Sequence, residues 1–187
     1  MKRVASMLVI ASLAACGGSG GGSSTTPSCD ESCQDGVALL ALRNAIKVVY
    51  NVTLQGKPEG PQNAMTMCQL GNGTASVSGT ATSNANQGTT TVNLTYVFSG
   101  CTYSQADSDP TQTFSLTLDG TVTEVGTIAV QPSSTTALEF TSGAISFDGS
   151  VYGPPIPYMQ KGCAVMLGQN GNNLSGLLCG RDAGTTL

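Results

Sequence analysis

Two periods organise the hydrophobic positions of this chain, and the change from one to the other falls near residue 60. Before it, Leu39, Leu42, Ile46 and Val49 recur at helical spacing and make one apolar stripe. Ser28 with Glu31 fits a capping box, and Asp30 and Glu31 suit the positive end of a helix. The pattern predicts a helix over about 29–49, with Gly36 as its weak point and Cys29 and Cys33 one turn apart on one face. So few cations flank the stripe that packing against a sheet fits it better than a calmodulin-like or membrane-binding face.

After a loop at 57–61 the period falls to two. Val92, Leu94, Tyr96 and Phe98 alternate, as do Phe114, Leu116 and Leu118. Runs at 64–70 and 74–82 are joined at Gly71-Asn72-Gly73, and further runs lie at 127–130, 135–141, 144–152, 163–168 and 174–179. Strands at hairpin spacing imply antiparallel pairing. The expected class is therefore mainly β: a curled antiparallel sheet or small barrel-like domain of about eight strands, preceded by one N-terminal helix. Gly153-Pro154-Pro155-Ile156-Pro157-Tyr158 reads as a stiff surface loop, because prolines cannot donate to a ladder.

Four segments share an apolar residue, a small or acidic residue and then glycine, ending at Gly79, Gly120, Gly149 and Gly176. Asp119-Gly120 and Asp148-Gly149 would normally be hairpin turns. Phase opposes that: Phe114, Leu116, Leu118, Gly120 and Val122 keep one parity, as do Ile145, Phe147, Gly149 and Val151. These glycines are expected inside strands on the apolar side, where they let a sheet bend.

The N-terminus has a different layout. Lys2 and Arg3 precede an apolar run from Ala5 to Leu13 that is too short to span a bilayer, and small residues lead to Cys16. This is the plan of a signal peptide, and Leu13-Ala14-Ala15-Cys16 resembles the lipobox of bacterial lipoproteins. The resemblance covers under a tenth of the chain. It implies removal of residues 1–15 and a lipidated Cys16 as the mature N-terminus. With Gly17 next in line, not aspartate, it also implies the outer membrane. More than one acyl chain on Cys16 would make the anchor stable. Residues 16–28 then form a lipidated, Gly/Ser-rich flexible linker, and 29–187 a single disulfide-rich β domain.

Without residues 1–15 the chain has five basic and eleven acidic residues, a net charge of −6. Such a surface does not attract nucleic acid. Six cysteines remain after Cys16, and in an exported chain they read as a disulfide framework. Zinc is disfavoured, because the chain has no histidine and no second close cysteine pair. Pairing Gly168 with Leu174 places Cys163 directly opposite Cys179, so these two are expected to bond. Pairing Leu70 with Thr74 and Thr82 with Thr89 leaves Cys68 and Cys101 roughly 9–10 Å apart, beyond bonding range. Cys29 and Cys33 are then expected to take Cys68 and Cys101, in an order left open, and staple the helix to the sheet.

Chemistry is sparse. The absence of histidine excludes Ser-His-Asp and Cys-His sites. No motif sets a serine beside Lys47, Lys57 or Lys161, no pair of acids is marked out for glycoside hydrolysis, and Asp107-Ser108-Asp109 lacks a calcium-loop pattern. The expected role is a lipid-anchored, non-catalytic envelope component, structural or protein-binding, without a cofactor. The alternative is a carrier holding an apolar ligand inside a barrel-like sheet, which requires a hollow interior.

Overall fold

A computed structural model describes residues 28–129 and 136–187. The helix, α1, spans Glu31–Thr53. Its cap is Asp30, whose carboxylate accepts the Cys33 amide proton at 2.9 Å, and not Ser28. Glu31 therefore makes no capping box and pairs instead with Arg181 at 3.3 Å. α1 continues past the expected end at Val49 because no breaker intervenes before Gly56, and the Thr53 hydroxyl folds back onto the Val49 carbonyl.

Eight strands follow: β1 (Gly60–Met67), β2 (Thr74–Asn84), β3 (Thr89–Gln105), β4 (Phe114–Ala129), β5 (Ala137–Val151), β6 (Ile156–Asn170), β7 (Asn173–Leu178) and β8 (Arg181–Thr186). Each pairs antiparallel with the next in a single meander. The sheet does not close: β1 and β8 are its edges. The fold is thus the mainly-β, curled antiparallel sheet with one leading helix that the two periods predict.

The departures have local causes. The runs at 114–122 and 127–130 belong to one strand, β4, and those at 135–141 and 144–152 to β5. In β5 the register shift at Ser142/Ile145 reverses the phase, and in β4 Glu124 and Gly126 interrupt the apolar row without changing it, so each long strand reads as two. β8 has no apolar alternation to reveal it. Ile156, Pro157 and Tyr158, expected in a loop, open β6, with Pro157 opposite Ser150. β7 accompanies β6 only from Val165 to Asn170, so the proline end of β6 is a sheet edge, where a missing donor costs little.

Gly79, Gly120, Gly149 and Gly176 lie inside β2, β4, β5 and β7, and neither Asp-Gly pair is a hairpin tip. Gly120 has φ +131°, and a Cβ built on it would stand 2.5 Å from the Ala144 carbonyl oxygen. The neighbouring backbone occupies the space of a side chain there, which is how the sheet bends. The shifts at Phe98/Cys101 in β3, Gly120/Thr123 in β4 and Ser142/Ile145 in β5 fall across adjacent strands and deepen the bend.

α1 fills the resulting concavity. From Val37 to Leu42 every residue is buried, so this part of the helix is enclosed on all sides and not along one stripe. The inward residues of β3, β4 and β5, among them Leu94, Phe98, Leu118 and Phe147, complete the core. Gly36, the expected weak point, is a point of close approach. A Cβ there would meet the Gly184 carbonyl oxygen of β8 at 2.9 Å.

Three disulfides join Cys29 to Cys33, Cys68 to Cys101 and Cys163 to Cys179. The expected stapling of Cys29 and Cys33 to Cys68 and Cys101 is therefore wrong. β2 starts at Thr74, opposite Ser99, and does not run alongside the rest of β3. The chain after β1 fills the gap, with Leu70 bridged to Thr102, and this brings Cys68 within 5.3 Å of Cys101 between Cα atoms. Cys163 and Cys179 are bonded although the register differs from the expected one. Gly168 faces Ser175, not Leu174, and Cys179 reaches its partner from the turn beyond β7 at φ +54°.

Candidate functional site

The inward row of β4 reads Phe114, Leu116, Leu118, Gly120 and Val122, and then Glu124. A carboxylate thus sits where the pattern calls for an apolar side chain, and it is 1% exposed. The Tyr96 hydroxyl donates to its Oε2 at 2.7 Å. Its Oε1 is buried without a hydrogen-bond partner among the described residues. Burial raises the Glu124 pKa, against the opposing pull of the Arg43 charge and the Tyr96 hydrogen bond. Burial and the Glu124 charge likewise push the Tyr96 hydroxyl up.

Arg43 approaches from α1. Its Nε donates to Gln169 Oε1 at 2.8 Å, and its guanidinium carbon stands 5.4 Å from the centre of the Phe140 ring. Gln169 is held in turn by donating to the Gly171 carbonyl at 2.8 Å. On the same helix Asn44 donates to Gln105 Oε1 at 2.9 Å, tying α1 to the end of β3. Between these elements lies a cavity of about 540 Å³, lined by Arg43, Lys47, Tyr50 and Glu124 among others. It presents charged side chains of both signs beside apolar ones such as Leu40 and Ile128, an arrangement that can bind a small molecule with a polar group.

A second buried carboxylate is fully occupied. Asp35 on α1 takes Arg181 Nε and Nη2 at 2.8 and 2.7 Å and the Tyr158 hydroxyl at 2.7 Å. The cluster latches the start of α1 to β6 and β8. Burial and the bond to Asp35 push the Tyr158 hydroxyl up.

Neither Asp35 nor Glu124 was marked by motif. Each has a signal in the pattern: Asp35 lies on the same helical face as Leu39 and Leu42, and Glu124 keeps the parity of Leu118 and Val122. The carboxylates that do look like a motif are ordinary turn-formers. Asp107 accepts the Asp109 amide, and Asp109 accepts the Thr111 amide and hydroxyl, which lower its pKa. Cys16 lies outside the described residues. Comparison with known protein families, characterised proteins and solved structures finds no match.

Proposed function

We propose that this chain is a lipid-anchored, non-catalytic component of the cell envelope, held by Cys16, that pairs with a second copy of itself through the free edge of β1. The disulfides belong to an oxidising compartment, and no described helix is long and apolar enough to cross a membrane. The lipobox resemblance supplies the anchor.

The observation that carries the pairing is the contrast between the two sheet edges. β8 is short, bears Arg181 and Asp182, and has α1 packed against it at Gly36 and Gly184. Those are protected-edge features. β1 has no charged residue from Gly60 to Met67. The Cys68 amide donates to the Gly73 carbonyl at 3.0 Å, so by alternation Gln62, Ala64 and Thr66 bond to β2. Asn63, Met65 and Met67 therefore turn their backbone groups outward, where no described backbone group meets their amides. Met65 and Met67 are 72% and 62% exposed, and Val52 of α1, exposed as well, lines one groove with Met65.

An antiparallel pair with Met65 opposite its own copy joins these edges without opposing like charges, and it gathers the exposed methionines. The patch adjoins the C-terminal end of α1, a helix about 34 Å long whose other end receives the tether. Confinement of anchored copies to one membrane raises their effective concentration. The carrier alternative needs a hollow inside the curled sheet, and α1 occupies that concavity.

Native mass spectrometry of the detergent-solubilised lipidated protein across a dilution series tests the pairing. The expected result is a dimer that dissociates on dilution and is lost in Met65→Lys/Met67→Lys, with a melting temperature equal to that of wild type where both are diluted to monomers. A monomer at every concentration, or a double variant that dimerises equally well, overturns it. The anchor is tested separately: a fatty-acid analogue should label the wild type and not Cys16→Ser, and equal labelling contradicts the lipobox reading.

A further inference from the structure

We infer that the cavity between α1 and β4 binds a small carboxylate carrying a hydrogen-bond donor on the adjacent carbon, a 2-hydroxy or 2-amino acid, with Glu124 reading the donor and Lys47 the carboxylate. The inference is independent of the β1 edge. Its first support is Glu124 Oε1, a buried acceptor without a partner, on a residue that lines the cavity, in a protein whose other buried carboxylate among the described residues, Asp35, has every oxygen engaged. A buried acceptor without a partner is costly, and a ligand donor relieves that cost.

The second support is the balance of charge. Among the side chains that line the cavity, Arg43 and Lys47 are cationic and Glu124 is the one carboxylate. An anionic group on the ligand completes that balance, and Lys47, exposed at the helix surface, has no hydrogen bond or ion pair among the described residues. The third is pre-organisation. Tyr96 fixes Glu124, while Gln169 and Phe140 fix Arg43, so these two groups are set before a ligand arrives. The cavity, at about 540 Å³, has ample room for so small a molecule.

The competing account is that water alone satisfies Oε1. Calorimetric titration of the detergent-solubilised protein with L-lactate, L-alanine, propionate and 1,2-propanediol separates the two. L-lactate or L-alanine is expected to bind about tenfold tighter than propionate, which lacks the donor, with propanediol weakest of all. Glu124→Gln should reduce that preference to about threefold or less while propionate binding persists. Lys47→Ala, at an exposed position that does not endanger the fold, should weaken the three acids alike and keep the preference. Binding by none of the probes, or propionate equal to both substituted acids, overturns the proposal.

Discussion

At the scale of single residues, the two buried carboxylates set different demands. Asp35 is 1% exposed at its side chain, while its partner Arg181 is 32% exposed. Arg181→Leu leaves a buried charge facing only Tyr158, and should cost about 3–5 kcal/mol in denaturant unfolding. Asp35→Ala should cost less, because a part-exposed guanidinium can turn to water. The double variant should recover part of the loss, and strict additivity would show that the pair is not coupled. Glu124 makes a prediction in pH. It faces Arg43, Lys47 and Tyr50 of α1 and Tyr96 of β3, and burial raises its pKa in the folded protein. The folded state then holds the proton more tightly than the unfolded one. Its effect on stability becomes unfavourable as pH rises from the ordinary carboxylate value through the raised one. Glu124→Gln removes that decline, so its stability relative to wild type should improve as pH rises above the ordinary carboxylate value. A difference between the two proteins that does not change with pH would refute the burial of an ionisable group there.

At the scale of elements, the curl depends on glycines whose side-chain space belongs to the next strand. Gly120→Val adds a clash with Ala144 and Ile145 to a φ of +131°, and should cost at least about 3 kcal/mol in chemical denaturation. Gly143→Ala, where nothing lies within 4 Å, should stay within about 0.5 kcal/mol of wild type. Equal effects at the two positions would remove the glycines from the account of the bend. These in-strand glycines were legible because side-chain parity runs straight through Asp119-Gly120 and Asp148-Gly149. Gly126, with φ +137° in β4, follows the same rule and was not singled out, because it lacks the preceding small or acidic residue. Parity also identified most strands, but it failed at the bulges, which reverse the phase within a strand. It also gave no warning that β2 stops at Thr74, short of Cys101, and so lets the chain after β1 bring Cys68 to Cys101.

At the scale of the whole molecule, the leading helix and the eight-stranded meander follow from two periods, whereas the relation of helix to sheet does not. Nothing in the spacing of Leu39, Leu42, Ile46 and Val49 announces that the helix will be enclosed from Val37 to Leu42, or that Arg43 will reach toward β4. That depends on how far the sheet curls, which no single strand encodes. The same curl leaves β1 and β8 as unequal edges, one covered and charged, the other bare. The account's central claim is that the bare edge is a pairing surface. Residue-resolved amide hydrogen exchange at low and high protein concentration tests it most directly. In dilute protein, Asn63, Met65 and Met67 should exchange fast beside slow Gln62, Ala64 and Thr66, and at high concentration the first three should become protected as well. Exchange at Asn63, Met65 and Met67 that stays fast at both concentrations, or is already slow in dilute protein, would contradict the claim.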